Sequence, residues 1–198
     1  RMAALDSAVQ DFLTSGLDVV VAVGTTLAEG QAFDPDSPVG DDERLRQLVA
    51  IMGLHPTMAA VYVGYEDGRF LYVGDTDDLT IEQRLQFDAP DAPALLVRSL
   101  EAGSGPRRET YWFRMDDGKL TPRRTRTETY DPRTRPWFVE AMAAKGPVLT
   151  EPYPFAQVSV VGVSTGVPLR RGGVIGFDFT LTTLSKLLSE YRFTPNSL

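Results

Sequence analysis

Two arginines, two prolines, a carboxylate and three aromatic rings share nine positions in the segment YDPRTRPWF, residues 130–138. An arginine presents a planar fork of donors that grips a carboxylate through two parallel bonds. Arg135 is such a group. Trp137 adds an apolar wall with one N–H donor, and Tyr130, Phe138 and the later Tyr153 add further aromatic faces. Asp178 ends the apolar run GVIGFD, residues 173–178, where a carboxylate is costly unless a cation meets it. A free α-amino acid carries both charges, so Arg135 and Asp178 in one aromatic-lined pocket suit such a ligand. They suit equally an internal salt bridge tying a helix to a sheet. Residue types alone leave these two readings level.

Other chemistries have less support. The chain has no cysteine and a single histidine, His55. Disulfides, thiolate metal sites and histidine clusters are therefore excluded, and a Ser-His-Asp triad has only His55 to use. His55 precedes Pro56 at the expected end of a helix, where it favours the helix dipole. Asp75, Asp77 and Asp78 lack the glycine and the terminal glutamate of a calcium loop. Asp131, Glu140 and Glu151 are further carboxylates with no spacing that marks a catalytic pair. No phosphate-binding glycine loop, nucleophile elbow or HExxH helix is present. No catalytic residue, metal or cofactor is expected, and the chain is read as non-enzymatic. A net charge of −7 and a pI near 4.8 argue against nucleic acid as a partner. Between residues 105 and 136 nine Lys/Arg face five acids. Cross-strand pairing is expected to absorb most of them.

The elements that must position these groups follow from periodicity. At 198 residues and 42% hydrophobic composition, one domain with a real core is expected. Residues 3–29 read as a long helix with Leu5, Val9, Phe12, Val19, Val23 and Leu27 in one stripe, stopped by Gly30, although the Val19–Val21 run also suits a strand. A loop over 31–40 leads to a helix capped by Asp41 or Asp42 and running through Met52, with Leu45, Leu48, Val49 and Met52 inward. Residues 58–65 and 70–73 form a hairpin across Glu66-Asp67-Gly68. A short helix is expected near 94–101. A second hairpin joins 109–115 to 120–129, and its latter strand is polar on both faces, which is odd for a core strand. Pro136 suits the first turn of a helix that runs to about Lys145. Strands over 157–168 and 174–179 and a last helix over 181–191 complete an α+β sheet domain. The chain opens on Arg1 without a visible signal peptide or a membrane-length apolar run, so a piece of a longer protein is expected.

Three motifs in order, YDPRTRPWF, EPYPF and GGVIGFDFTLTTLSKLL, resemble the double Cache family of extracytoplasmic sensor domains. The long first helix and the VYVGYEDGRF hairpin fit the same family, and the resemblance covers nearly the whole chain. It implies a PAS-like central antiparallel sheet behind a long N-terminal helix (residues 1–30), with flanking short helices. It also implies a membrane-distal ligand-binding module over 31–191, and in 192–198 the start of a missing or shortened proximal module. It further implies a periplasmic domain of an inner-membrane chemoreceptor, histidine kinase or nucleotide cyclase/cyclic-di-nucleotide enzyme, anchored through segments not present here. The apolar stripe of the first helix also suits packing against a second copy in a homodimer. In the amino-acid-binding branch the carried-over pocket residues are Tyr130, Arg135, Trp137, Tyr153 and Asp178. There Arg and Trp hold the ligand carboxylate and Asp the amine. The fourth position departs: it is Phe138 here, not tyrosine, which keeps the wall and loses a hydroxyl, typically about 0.5–1.5 kcal/mol. An organic acid or an amine in the same pocket, or a ligand-free dimerisation module, are the alternatives.

Overall fold

Alternating side chains in the hairpin segments build the centre of a sheet. In the computed structural model, which describes residues 18–53, 58–77, 79–156 and 160–180, β1 (Ala60–Tyr65) and β2 (Phe70–Asp75) pair with Tyr62 opposite Tyr72 and Val63 opposite Leu71. Gly68 closes the turn at φ 88°, a left-handed conformation that glycine adopts without strain. The other strands are β3 (Pro93–Leu100), β4 (Arg107–Met115), β5 (Arg124–Glu128), β6 (Val148–Leu149), β7 (Tyr153–Pro154), β8 (Val161–Pro168) and β9 (Gly173–Thr180). The spatial order is β5-β4-β3-β2-β1-β9-β8-β6, with β7 also on β8, and every pairing is antiparallel.

The helices divide between the two faces. α1 (residues 18–29) and α2 (Asp41–Met52) cover the face that carries Val61, Val63, Leu71, Val73, Ile175 and Phe177, all at most 1% exposed. Aliphatic side chains from both layers interlock there into a dry core. α4 (Pro136–Ala144) covers the opposite face, where Tyr62, Phe70, Tyr72, Trp137 and Phe138 form a mainly aromatic cluster. α3 (Ile81–Gln86) is a surface turn of helix between β2 and β3.

The α+β class, the PAS-like antiparallel sheet, the hairpins and the Pro136 helix stand as expected. The Val19–Val21 run is helical, as the expected first helix requires, with Val20 packed on the sheet. Two local expectations do not hold. Asp41 and Asp42 do not cap α2: Gly40 holds the N-cap, and Asp41 Oδ1 instead accepts from Arg44 Nη1 at 3.0 Å and Arg69 Nη1 at 3.3 Å. Arg44 is 1% exposed and needs that charge. Residues 94–101 are mostly strand, not helix: Leu96, Arg98 and Leu100 face one way in β3, held between β2 and β4. Pairing on both sides overrides the local helix preference of Ala-Leu-Leu. The short helix lies earlier, at α3, where Thr80 and Gln83 form a reciprocal capping box. The doubly polar β5 is explained by its place as the sheet edge. Residues 1–17, His55 and the expected helix and tail over 181–198 lie outside the described residues.

Candidate functional site

The nine-residue segment splits its two arginines between two tasks. Asp131 caps a single 3-10 turn (Pro132–Thr134) by accepting from the Arg133 N–H at 3.0 Å. Its carboxylate also takes Arg133 Nε at 2.8 Å and Nη2 at 2.6 Å. The same guanidinium donates to Glu66 O and Ser104 Oγ, so Arg133 fastens the segment to neighbouring loops. Arg107 does likewise, donating to the carbonyls of Gly68, Gly103 and Tyr130. Arg135 differs. It precedes Pro136, which forces it out of the helical region (φ −90°, ψ 146°) and makes it the N-cap of α4. Among the described residues its side chain donates only to Pro154 O, at 3.2 Å, and it lies 5.5 Å from the Tyr153 ring centre.

Glycines let the helix and the rings reach the sheet. A Cβ on Gly166 would stand 2.4 Å from the Trp137 carbonyl oxygen, and one on Gly64 would stand 2.7 Å from the Trp137 ring. Trp137 is thereby pressed flat to 2% exposure, 4.7 Å from the Tyr62 ring. Around it Tyr62, Phe70, Tyr72, Tyr130, Tyr153, Phe155 and Asp178 line a cavity of about 20 Å³. That is space for one water-sized group.

Asp178 lies at the floor, 9% exposed. Register puts Ala60 of β1 and Ser164 of β8 on either side of it. Its Oδ1 accepts from Tyr62 Oη and from Ser164 Oγ, each at 2.5 Å. Since the single hydroxyl proton of Ser164 points to Asp178, the 2.7 Å contact between Tyr153 Oη and Ser164 Oγ has Tyr153 as donor. The second oxygen, Oδ2, accepts from none of the described residues and keeps access to the cavity. Burial pushes the Asp178 carboxyl up to about 7, against the pull of the Ser164 and Tyr62 hydroxyls and of Arg135. Burial also raises Tyr62, Tyr130 and Tyr153, which stay protonated donors.

Of the six residues read from the sequence, four line the cavity: Tyr130, Trp137, Tyr153 and Asp178. Arg135 stands at the rim over Tyr153. It acts on Asp178 through its field but forms no ion pair with it or with any other described carboxylate, so the internal salt bridge held open from the sequence is not formed. Phe138 does not wall the cavity. It packs edge-on behind Trp137 and beside Gly64, 5% exposed. Its missing hydroxyl is therefore not lost from the cavity lining. Tyr62, Phe70, Tyr72, Phe155 and Ser164 were not singled out from the sequence. Alternation placed the hairpin residues on a face, but only strand order brings that face to Asp178. Of the basic cluster, Arg126 pairs across strands with Glu109, which Arg98 from outside the cluster also meets, and Arg108 pairs with Glu101 at the β3–β4 end. Arg124, Arg123 and Lys119 pair instead with Asp88, Asp42 and Asp117 in a loop, a helix and a turn, not across strands. Among the described residues no group of carboxylates and histidine is placed to hold a metal ion, and no helix is long and apolar enough to cross a membrane.

No protein-family model matches the chain. It is 34% identical over 165 residues to Adenylate cyclase 1 of Rhizobium meliloti (strain 1021), a match covering 79% of this chain and 24% of the cyclase. It is 36% identical over 83 residues to the methyl-accepting chemotaxis protein PctB of Pseudomonas aeruginosa, covering 39% of this chain and 13% of PctB. Among solved structures, the ligand-binding domain of the amino acid chemoreceptor PctB of Pseudomonas aeruginosa PAO1, in complex with L-Gln, superposes with a TM-score of 0.52. Its identity is 25%, with 94% of this chain and 55% of that chain covered. The fold is that of a chemoreceptor ligand-binding domain. The match spans about a quarter of the cyclase and a smaller share of the receptor, so it concerns one part of each.

Proposed function

We propose that the chain is the extracytoplasmic sensor module of a membrane-anchored bacterial signalling protein, and that its pocket takes a free amino acid. Arg135 and Trp137 bind the ligand carboxylate, Asp178 its ammonium, and Tyr130 and Tyr153 flank it. The observation that carries this reading is that an arginine beside a cavity-lining ring and a cavity-lining carboxyl group form no ion pair with each other. Among the described residues, Asp178 is buried with one oxygen unused, and Arg135 holds only a carbonyl. A zwitterion satisfies both at once, whereas a plain amine leaves Arg135 and a plain acid leaves Asp178 unmatched. The complex of the PctB domain with L-Gln supports the ligand class. The module corresponds to the membrane-distal half of a double Cache pair, with residues 1–30 as a long helix, 31–191 as the binding module and 192–198 leading into the proximal half. Binding biases a conformational equilibrium carried out through the terminal helices. The module itself performs no catalysis.

A second reading has one observation in its favour. A cavity of about 20 Å³ is smaller than any amino acid, which suits a ligand-free dimerisation module that packs through the first helix. A thermal-shift screen of the chain against amino acids, organic acids and amines separates the two. A ligand at a hundred times its Kd adds about 2.7 kcal/mol. A rise in Tm with amino acids, lost in both Arg135→Ala and Asp178→Ala, is the expected result. A flat screen on folded protein favours the ligand-free reading.

A further inference from the structure

The buried carboxyl network holds more than the two charges that the amino acid reading uses. Tyr62 and Ser164 both donate to Oδ1 of Asp178, and Tyr153 donates in turn to Ser164. This fixes the plane of the carboxyl group and leaves Oδ2 as the atom offered to the cavity. No cation among the described residues pairs with it. The titratable or charged groups facing this carboxyl are Tyr62 from β1, Tyr72 from β2, Tyr153 from β7, and Tyr130 and Arg135 from the segment before α4. Burial raises Tyr62, Tyr130 and Tyr153, which stay neutral through the physiological range. Arg135 stays charged at the rim. Asp178 is thus the group of this cluster whose charge changes near neutral pH.

We propose that Asp178 captures the ligand by proton exchange, an incoming ammonium displacing the carboxyl proton from Oδ2, and that Tyr62 and Ser164 are positioning residues which set where that oxygen points and how readily it gives the proton up. This rests on the amino acid reading above. The balance is simple: the carboxyl proton leaves to solvent, the ligand keeps all its ammonium protons, and the buried charge of the bound site is the neutral sum of carboxylate and ammonium. A buried carboxylate without a cation is unfavourable, so the free site holds the proton, in line with burial pushing Asp178 up to about 7. The device makes sensing depend on the pH outside the cell: an acidic medium weakens capture without touching the ligand.

The linkage fixes the sign. Below the midpoint of the free site, binding must release a proton, so Kd tightens up to tenfold per pH unit as pH rises and levels off above it. Each hydroxyl that donates to Oδ1 favours the charged form. Removing one, in Ser164→Ala or Tyr62→Phe, therefore moves the midpoint to higher pH.

The test uses the full 198-residue chain with each of the common L-amino acids as probe. Titration calorimetry runs from about pH 5.5 to about pH 8.5, in two buffers of different ionisation enthalpy at each pH. The expected result is a binding amino acid whose Kd tightens up to tenfold per unit up to about pH 7. Proton release then approaches one per site in acid and vanishes in alkali. The curve shifts to higher pH in Ser164→Ala and Tyr62→Phe, and is unchanged in His55→Gln, the one histidine. Binding with no proton release and a flat pH profile overturns the exchange and leaves the amino acid reading standing. A pH profile abolished by His55→Gln assigns the proton elsewhere and also overturns it. No binding by any amino acid at any pH overturns both.

Discussion

One face of this sheet carries two clusters of buried charge, and they are built differently. At the β3-β4-β5 end, Glu109 is fully buried and is met by Arg98 and by Arg126. Arg126 also reaches Glu128 at 2.9 Å, and Arg98 lies 3.7 Å from it. Two arginines and two glutamates close on themselves. A few strands away, Asp178 has hydroxyl donors but no ion pair among the described residues, and Arg135 faces Tyr153 and a carbonyl. The first cluster is balanced in charge and does structural work, although Arg126 Nη1 finds no hydrogen-bond partner among the described residues. The second is left open toward a cavity, at a cost to the fold. Taking charges out of water is offset only by good partners, so an unmatched buried charge marks the place where a partner from outside is expected.

The sharpest way to break this contrast is to open the closed cluster. Glu109→Ala leaves Arg98, 1% exposed, short of its main counter-charge. A loss of about 3–5 kcal/mol in denaturant unfolding is expected. The reverse change at the open cluster has the opposite sign. Asp178 is raised in the folded protein from 3.8 to about 7, so wild-type stability falls as pH climbs between those values and flattens above them. Asp178→Asn removes that dependence. Its stability relative to wild type should rise steadily from about pH 4 to about pH 7, by at most about 4 kcal/mol, while amino acid binding is lost. Melting curves across that range check the sign. A variant no more stable at pH 8 than at pH 4, relative to wild type, would sink the idea of an unmatched carboxylate.

A third substitution tests the floor on which the open cluster stands. Gly166→Ala drives a methyl to 2.4 Å from the Trp137 carbonyl, so α4 must lift off β8. Destabilisation of about 1–3 kcal/mol is expected, with weakened binding. Smallest in stability is Arg135→Ala. Its one hydrogen bond among the described residues is exposed, and a change within about 0.5 kcal/mol is expected in unfolding. In a thermal-shift assay the same variant should lose the amino acid response. Stability unmoved and binding gone is the signature of a residue kept for a ligand.

Much of this was legible in the sequence, and for identifiable reasons. Alternation and the Glu66-Asp67-Gly68 turn set the first hairpin. The proline after Arg135 set both the start of α4 and the extended backbone at its cap. Tyr130, Trp137, Tyr153 and Asp178 were legible as candidate pocket residues through the resemblance, since their types alone left a ligand pocket and an internal salt bridge level. What stayed hidden depended on neighbours. The strand over Pro93–Leu100 reads locally as helix and is held extended by β2 and β4. Phe138 belongs with its motif in the chain but faces the sheet, because two successive helix positions cannot both point into one cavity.

The sequence by itself determined local conformation and the inventory of charges, since turns, caps and side-chain periodicity act over a few residues. It also left Arg135 and Asp178 as either a clamp or a bridge. Only the tertiary structure decided between partners, because pairing is a matter of strand order and register. β9 lies between β1 and β8, which brings Tyr62 and Ser164 onto Asp178. The backbone at the head of α4 carries Arg135 to the rim instead. Charges far apart in sequence neutralise each other only where the sheet places them in contact, and here it does so for Arg98 and Glu109 but not for Arg135 and Asp178.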